Sequence, residues 1–310
     1  MAEPYAIAVI GVGKIARDQH LPAIAKDQRF QLVATVNPRG GGIDGTPNFD
    51  TLQAMLAAGV RVDAVSICTP PQVREAIARD AIKAQLATLL EKPPTATLAA
   101  FEGLSARARK AGVVLFATWH LRFAPMIEEA RHWLANRRVT GGKVTWHENA
   151  HKWHPGQNWL FQAGGLGVFD PGINALSVIT AILPEPPVVT VAQFQVPRGA
   201  ATPIAVEMSL RTGDADLAVS FDFRADDVET WNIEITTEDG HTLHLLDGAT
   251  GMAIDGEPVR RLPEAEYQGV YARFAKLLQT RDSDADPAPL RLVADAFMLA
   301  DMQPTDPYSP

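Results

Sequence analysis

The sequence YAIAVIGVGKIA at residues 5–16 joins a short apolar run to a glycine-rich turn. The run lacks polar alternation, which is typical of a strand covered on both faces in a parallel sheet. The turn has a G-x-G-x-x-A spacing: Gly11 permits a tight bend, Gly13 lets the backbone approach a pyrophosphate, and Ala16 lets the next helix lie close to the strand. The N–H groups that open the helix would face the phosphates. An ordinary strand-to-helix turn is the alternative, but the flanking strand and helix favour dinucleotide binding.

The composition is that of an ordinary globular protein, with 310 residues of which 46% are hydrophobic and 21% charged. This length allows one large or two medium domains. A net charge of −8 leaves no basic surplus for nucleic-acid phosphates. The single cysteine, Cys68, excludes an internal disulfide and fits a reducing cytoplasm. Residues 1–4 lack the basic start of a signal peptide and residues 6–12 are too short to span a bilayer, so we expect a cytoplasmic protein without membrane association.

Strands and helices alternate at short spacing through the first part of the chain. This pattern predicts an α/β fold with a doubly wound parallel sheet, a Rossmann domain over residues 1–121. The predicted strands after the first are 31–36, 62–68, 86–90 and 113–118, and the predicted helices are 14–25, 50–58, 72–83 and 98–111. Ligands of such sheets bind at the carboxyl ends of the strands. The predicted cofactor contacts are therefore Gly11, Gly13, Lys14, Ile15, Asn37, Arg39, Cys68, Thr69, Pro70, Pro71, Glu91, Lys92 and Trp119.

The end of the second strand indicates which nicotinamide cofactor is used. An acidic residue there would bind the ribose 2′-hydroxyl of NAD, but the sequence has Asn37 and Arg39. A guanidinium can hold a 2′-phosphate through two hydrogen bonds, so we expect NADP to be used at least as well as NAD. A solvated arginine in a glycine-rich loop is the alternative.

From residue 121 the pattern changes to strands that follow one another without intervening helices. They are predicted at 142–150, 188–196, 205–210, 217–223, 229–236 and 242–246, with helices at 124–135, 267–280 and 290–302. Successive strands favour antiparallel pairing, so we predict an α+β second domain over residues 122–310.

A polar and aromatic cluster lies between residues 146 and 174. Its members are Glu148, His151, His154, Asp170 and Asn174, with Trp146, Trp153 and Trp159 among them. Exposed aromatic faces beside carboxylates and amides suit a sugar. Asp170 and Asn174 would point the same way if Pro171 lies in a first helical turn, although Asp170 could equally be a simple helix cap.

Two further residue sets have alternative interpretations. His147, His151 and His154 have a spacing that could bind a metal on a helix, but their surroundings are predicted as strand and loop, so we expect no metal. Lys92 could be a surface lysine beside prolines, but its place at a strand end next to Glu91 favours a role in the site.

The segments GVGKIA, ICTPP, LLEKPP and GGLGVFDPGINA resemble the Gfo/Idh/MocA family of nicotinamide-dependent oxidoreductases. The likeness covers nearly the whole chain, and E-K-P at residues 91–93 is its most specific mark. The resemblance implies an N-terminal Rossmann domain, a C-terminal domain built on a large, open, mostly antiparallel sheet, and a Lys92 that touches both substrate and nicotinamide. Many members have D-x-x-x-H, whereas Asp170 is followed here by Asn174 at the histidine position. With WHPGQNW at residues 153–159, this departure is similar to the branch that oxidises L-arabinose and D-galactose.

The resemblance implies oxidation of the C1 hydroxyl of an aldopyranose, L-arabinose or D-galactose, to the aldonolactone, with NADP or NAD as acceptor. Asp170 would be the base, alone or shared with Lys92, and Asn174 would orient the hydroxyl. The remaining hydroxyls would be bound by Glu148, His154, His120 and Trp153. A homodimer would cover the outer face of the open sheet. Another sugar or inositol oxidation, or a non-catalytic NADP sensor on the same fold, are the alternatives.

Overall fold

The computed structural model describes residues 3–38, 40–226 and 228–308. Their contacts divide the chain into two compact units. Unit 1 comprises the described residues up to His120 together with Tyr267–Pro287, and unit 2 comprises Leu121–Glu266 and the described residues from Ala288 onward. The sequence prediction assigns Tyr267–Pro287 to the second domain. The segment instead joins unit 1 because its aromatic side chains pack there: the ring of Phe274 stacks on Phe30 and on Phe116, with centroids 5.9 and 6.1 Å apart.

The helices, numbered along the chain, are α1 (Leu21–Lys26), α2 (Leu52–Ala57), α3 (Pro71–Lys83), α4 (Leu98–Ala111), α5 (Ile127–Leu134), α6 (Ala150–Trp153), α7 (Phe169–Ile182), α8 (Glu266–Thr280) and α9 (Ala288–Leu299). A π-helical turn, Ala16–His20, leads directly into α1, and short 3-10 turns lie at His120–Phe123 and Asn158–Phe161. Among the residues that the structure describes, no helix is long and apolar enough to cross a bilayer.

The strands, numbered in the same way, are β1 (Tyr5–Ile10), β2 (Phe30–Val36), β3 (Asn48–Phe49), β4 (Ala64–Ile67), β5 (Ala87–Leu90), β6 (Leu115–Ala117), β7 (Val139–His147), β8 (Val188–Pro197), β9 (Ala205–Thr212), β10 (Ala215–Asp222), β11 (Thr230–Thr237), β12 (Thr242–Leu246), β13 (Gly251–Ile254), β14 (Arg260–Arg261) and β15 (Ala300–Thr305).

Unit 1 is built on a six-stranded sheet in the order β3-β2-β1-β4-β5-β6, and all of its pairings are parallel. Every residue of β4, β5 and β6 is buried, as expected for strands covered on both faces. The strand order reverses between β1 and β4, and this is where ligands of open parallel sheets bind. The predicted doubly wound Rossmann sheet is confirmed.

Unit 2 is built on a nine-stranded sheet in the order β14-β13-β12-β11-β7-β10-β9-β8-β15. The pairs β7–β10 and β8–β15 are parallel and the other pairs are antiparallel. One face is apolar: β10 buries Leu217, Val219 and Phe221 and turns Asp216 and Ala218 outward. The predicted large, mostly antiparallel sheet is confirmed.

Two predicted elements end three residues earlier in the structure. The predicted strand 142–150 stops at His147, because the side chain of Asn149 accepts a hydrogen bond from the Lys152 N–H and caps the short helix α6. The predicted helix 290–302 stops at Leu299, and β15 then pairs with β8 and forms the edge of the sheet. Edge pairing also explains how β15 can contain Pro304, whose missing N–H is tolerated there.

Candidate active site

The dinucleotide turn of unit 1 has the geometry that its sequence predicts. Gly11 follows β1 with φ of +88° and donates its N–H to the Val36 carbonyl over 2.8 Å. A Cβ on Gly11 would lie 2.9 Å from the backbone nitrogen of Thr69, so only glycine fits there. A Cβ on Gly13 would meet nothing within 4 Å, which leaves its backbone open to a phosphate. Ala16 is fully buried against the sheet.

The loop after β4 adds an unpaired polar group beside this turn. The methyl group of Thr69 packs on Gly11, while its Oγ1 is buried and has no hydrogen-bond partner among the described residues. A buried hydroxyl without a partner is costly, and a bound dinucleotide could supply one. The open backbone at Gly13 and the Thr69 hydroxyl therefore fit a nicotinamide dinucleotide.

The other predicted cofactor residues are placed as follows. Lys14 is exposed and pairs with Asp18, and Cys68 is half-buried with its Sγ 3.7 Å from Ser66 Oγ. Asn37 follows β2, and its side chain donates to the Gly40 carbonyl. Arg39 lies outside the described residues. Ile15 immediately precedes the π-helical turn, and Pro70 and Pro71 lie at the start of α3.

Glu91 and Trp119 have internal roles in unit 1. Trp119 is buried and its indole N–H donates to the Asp286 carbonyl over 2.9 Å. Glu91 is 2% exposed and receives three hydrogen bonds: from His20 Nε2 at 3.2 Å, from the Tyr267 hydroxyl at 2.5 Å and from the Lys92 N–H at 2.6 Å. These side chains are therefore engaged by protein groups rather than presented at the surface.

Charge and burial compete at this carboxylate. Burial alone would raise the pKa of Glu91, but hydrogen bonding from His20 and the positive charges of His20, His120 and Lys92 prevail and lower the pKa to about 2. Burial likewise works to lower the pKa of His20, but Cys68, Tyr271 and Glu91 raise it well above its ordinary value. His20 and Glu91 therefore form a buried imidazolium–carboxylate pair.

Arg74 of α3 holds the loop that carries Lys92. Its guanidinium is buried and donates to the carbonyl oxygens of Glu91 and Pro93 and to that of Thr69. The peptide bond between Lys92 and Pro93 is cis. The ring of His120, at the start of the 3-10 turn after β6, stacks on Tyr267 with centroids 5.4 Å apart. The backbone on both sides of Lys92 is thus held by buried groups of unit 1.

Unit 2 has its own group of candidate residues on α7. Asp170 lies in the first turn of this helix, is 5% exposed and donates its N–H to the Gly167 carbonyl over 2.9 Å. Asn174 follows one turn later on the same helix face and is half-buried. Phe169 anchors this turn, with its ring 5.4 Å from Phe194 and 5.7 Å from Phe221. A carboxylate and an amide are thus held side by side on a rigid element.

Glu148 and His154 form a second pair in unit 2. Glu148 directly follows β7, and its buried Oε1 lies 2.9 Å from His154 Nε2. The other ring nitrogen of His154 is buried and has no hydrogen-bond partner within the described part of the chain. The pair therefore combines a carboxylate acceptor with an uncommitted imidazole nitrogen, which together can bind hydroxyl groups.

The tryptophans do not form one exposed surface. Trp146 is buried because it faces inward from β7, where its ring stacks on Trp231 at 6.0 Å. Trp153 is 38% exposed, and its indole N–H donates to Glu229 over 2.5 Å while Lys152 lies 4.7 Å above the ring. The expectation of exposed aromatic faces is therefore wrong for Trp146, and Trp153 stays a predicted sugar contact.

The three histidines with metal-like spacing point to different partners. His147 Nε2 lies 2.8 Å from Ser220 Oγ, the ring of His151 lies 5.3 Å from Tyr308, and His154 contacts Glu148. In the described residues, no group of three or more His, Cys, Asp or Glu side chains is arranged to hold a metal ion.

His20, Arg74 and Tyr267 are the candidate functional residues that the sequence analysis missed. Their partner Glu91 is far from two of them in the sequence, 71 positions from His20 and 176 from Tyr267, while Arg74 is 17 positions away. The sequence holds one weak signal, a histidine and an arginine on apolar helix faces, which equally fits an ordinary core.

Comparison with known proteins confirms the family that the sequence predicts. Residues 5–118 match the GFO_IDH_MocA family, described as an oxidoreductase family with an NAD-binding Rossmann fold. The chain is 41% identical over 300 residues to galactose 1-dehydrogenase from Pseudomonas fluorescens, covering 96% of both chains.

Solved structures give the same result. The crystal structure of D-galactose-1-dehydrogenase from Rhizobium etli superposes with a TM-score of 0.95 at 44% identity, over 100% of this chain and 99% of the other. A 3-ketoreductase from Actinomadura kijaniata in complex with NADP shares the fold, with a TM-score of 0.83 at 19% identity over 97% and 99% of the two chains. The chain belongs to the Gfo/Idh/MocA family of oxidoreductases.

Proposed function

We propose that this enzyme oxidises the C1 hydroxyl of an aldopyranose, D-galactose or L-arabinose, to the aldonolactone, with NADP or NAD as the acceptor. The observation that carries the proposal is the similarity over nearly the full chain to two galactose 1-dehydrogenases, at 41% and 44% identity. The carboxylate and amide of Asp170 and Asn174 support it, because proton removal from a hydroxyl needs a base and an orienting group.

The bound nicotinamide would supply hydride acceptance at its C4 atom. Asp170 removes the proton of the C1 hydroxyl, alone or together with Lys92, as the C1–H bond breaks. Asn174 orients that hydroxyl through its amide, and orientation of this kind lowers the entropy cost of the step. Because Asp170 is buried, its hydrogen bond to the sugar is little weakened by competing water.

Binding of the other hydroxyls is assigned to Glu148, His154, His120 and Trp153. The Glu148–His154 pair supports this, because it offers both an acceptor and a ring nitrogen within one unit. D-Galactose and L-arabinose share one ring configuration and differ at C5, where galactose has a hydroxymethyl group. One set of contacts can therefore accept both sugars.

The test measures reduction of NADP and of NAD at 340 nm with D-galactose, L-arabinose, D-fucose and D-xylose. We expect the first two sugars to give the highest kcat/KM, and the product to be a lactone that hydrolyses to the aldonic acid. A keto-aldose product, with a ring carbonyl and C1 unchanged, would indicate oxidation at a secondary hydroxyl. Dinucleotide binding without turnover of any sugar would favour a sensor.

Asp170→Ala and Lys92→Ala test the assigned residues. Each should lower kcat by about 100-fold to 10,000-fold, the usual contribution of a positioned acid or base. The dissociation constant for NADP, measured by tryptophan fluorescence, should change much less in Asp170→Ala. Near wild-type turnover in either variant would remove that residue from the mechanism.

Cofactor preference is assigned to the loop after β2. The residue that follows this strand, Asn37, carries no charge to repel a 2′-phosphate. We expect Arg39→Ala to lower kcat/KM for NADP by about tenfold or more, since hydrogen bonds to charged groups have about that effect, and to leave NAD almost unchanged. An unchanged NADP-to-NAD ratio would exclude Arg39 from cofactor selection.

A further inference from the structure

The backbone on both sides of Lys92 is tied to buried protein groups. The Lys92 N–H donates to Glu91 Oε2 over 2.6 Å. The carbonyl oxygens of Glu91 and Pro93 both accept hydrogen bonds from Arg74. Arg74 thus fixes the peptides on either side, and the Glu91 carboxylate fixes the N–H of Lys92 itself, so a carboxylate that turns away removes a restraint at the start of the lysine side chain.

The other oxygen of the Glu91 carboxylate, Oε1, is also held by hydrogen bonds. Oε1 accepts from the Tyr267 hydroxyl at 2.5 Å and lies 3.2 Å from His20 Nε2. All three side chains are buried within unit 1. Water cannot easily replace a lost donor at this depth, so a carboxylate that loses one must turn toward another partner or bind a proton.

The surroundings of His20 direct its charge toward Glu91. Its Nδ1 lies 2.9 Å from the Tyr271 hydroxyl and 3.1 Å from Ser66 Oγ, and its ring meets Tyr267 edge-on at 4.9 Å. Cys68 is the other titratable neighbour. Of these neighbours of His20, Glu91 is the carboxylate, and it lies beside Nε2. A proton on Nε2 is therefore shared with Glu91.

We propose that His20 and Tyr267 are positioning residues for the oxidation: they keep Glu91 ionised and in one orientation, and through the Lys92 N–H they place the Lys92 side-chain amino group. The inference rests on the proposed function, because it assumes that Lys92 takes part in the proton transfer. Neither His20 nor Tyr267 touches the reacting atoms; both act through the Glu91 carboxylate.

The kinetic test uses Tyr267→Phe, which removes one hydroxyl and keeps the ring, and His20→Asn. Each should lower kcat with D-galactose and NADP by about tenfold or more, the effect of losing a hydrogen bond to a buried charge. KM for the sugar and the dissociation constant for NADP should change by less than about threefold. The misplaced Lys92 side chain affects the proton transfer and not the binding of either ligand. The effects should not add in the double variant, since both act on one carboxylate.

Tyr271→Phe is the matched control. Tyr271 lies one turn further along α8, is equally buried and contacts His20 but not Glu91. This variant loses the same atom and should keep kcat within about threefold of wild type, because the carboxylate keeps all its donors. A loss in Tyr271→Phe equal to that in Tyr267→Phe would show that general loosening of unit 1 is responsible, and would overturn the proposal.

A second readout needs neither cofactor nor turnover. In the cofactor-free protein labelled with ¹⁵N-lysine, the Lys92 amide proton should resonate at low field, since its hydrogen bond to a carboxylate is short and charge-assisted. The resonance should move upfield in Tyr267→Phe and His20→Asn and stay in place in Tyr271→Phe. If His20→Asn does not fold, Tyr267→Phe alone decides the test.

The two proposals fail in different ways. Wild-type turnover in Lys92→Ala would remove Lys92 from the reaction, whatever Tyr267→Phe does. A Lys92→Ala variant that is inactive, together with Tyr267→Phe and His20→Asn variants that keep both kcat and the Lys92 amide resonance, would leave the proposed function standing and overturn the positioning role.

Discussion

Glu91 combines nearly complete burial with a negative charge, which proteins tolerate only when donors surround the carboxylate. Its donors come from three parts of the chain: His20 before α1, the backbone of Lys92 and Tyr267 on α8. The cluster therefore contributes to the stability of unit 1 as well as to the placement of Lys92, and its contribution must depend on pH.

The acid side of this dependence follows from Glu91. Its pKa falls from 4.5 to about 2 on folding, so the stabilisation is complete above pH 4.5 and is lost as the pH falls toward 2. In urea unfolding, the free energy of unfolding of wild type should therefore exceed that of Glu91→Gln by less and less as the pH falls from about 5 to about 3. A constant difference over this range would contradict an ionised Glu91 in the folded state.

The alkaline side follows from His20, with the opposite sign. Folding raises the pKa of His20 above its ordinary value of 6.5. The stabilisation from His20 is therefore complete below pH 6.5 and is lost as the pH rises through the raised pKa. In urea unfolding, the difference in free energy of unfolding between wild type and His20→Asn should therefore decline from neutral pH into the alkaline range. If that difference instead grew with pH, His20 would be neutral in the folded protein.

Single residues differ in how far the sequence could predict them. Lys92, Asp170 and Asn174 lie in contiguous motifs whose chemistry can be inferred locally. Arg74 and Tyr267 could not be found in this way. An arginine on a helix and a tyrosine late in the chain acquire their partners only when unit 1 has folded. Long-range hydrogen bonds of this kind leave no local pattern.

Helix α7 can carry Asp170 into place because it lies very close to the sheet. A Cβ on Gly172 would be 2.5 Å from the ring of Phe221 on β10. Gly167, just before the helix, has φ of +54°, and a Cβ there would lie 2.2 Å from the Pro203 carbonyl oxygen. The glycines thus fix both the start of α7 and its distance from the sheet.

Gly172→Ala should move this helix and, with it, Asp170 and Asn174, the proposed base and orienting group. The added methyl group must displace either the Phe221 ring or α7, at a cost of about 1–3 kcal/mol. The same displacement should lower kcat, because Asp170 lies half a turn away on α7. Urea unfolding and steady-state kinetics with D-galactose measure the two effects.

Gly103→Ala is the control for that substitution. Gly103 lies in α4, where a Cβ would meet nothing within 4 Å, so alanine should stabilise the protein by about 0.5–1 kcal/mol and leave kcat unchanged. If both variants behaved alike, helix propensity rather than close packing would explain the Gly172 result.

Elements with strong local signals were predicted well. The prediction for α4 is confirmed to the residue, because the Thr97 side chain accepts a hydrogen bond from the Ala100 N–H and Gly112 ends the helix with φ of +66°. Strand β15 was missed for the opposite reason: its residues continue a helical pattern, and only pairing with β8 at the sheet edge makes them a strand. Tertiary pairing overrides local preference there.

The whole chain passes between its two units three times, after His120, after Glu266 and after Pro287. The first passage coincides with the change from alternating helices and strands to successive strands, which is why the sequence could locate it. The return of Tyr267–Pro287 to unit 1 depends on aromatic contacts with residues far earlier in the chain, and the sequence pattern alone does not contain it.

The outer face of the nine-stranded sheet bears on how whole molecules assemble. It is polar along β7, β10 and β9, where His147 Nε2 lies 2.8 Å from Ser220 Oγ and Ser220 donates to Glu207 over 2.6 Å. It becomes apolar toward β8, where Val188 and Val191 are both 53% exposed. A mixed polar and apolar face of this kind suits association between two copies of the chain, which is the homodimer that we propose.

Val191→Glu should therefore weaken the dimer, because it places an unpaired charge within the buried surface. Sedimentation should give twice the 33.5 kDa chain mass for wild type and a shift toward the single mass for Val191→Glu at the same concentration. Val73→Glu is the matched control. Val73 on α3 is 51% exposed, as Val191 nearly is, but it belongs to unit 1 and not to the nine-stranded sheet. A wild-type monomer would contradict the dimer, and a Val191→Glu variant that stayed as dimeric as Val73→Glu would place the interface on another surface.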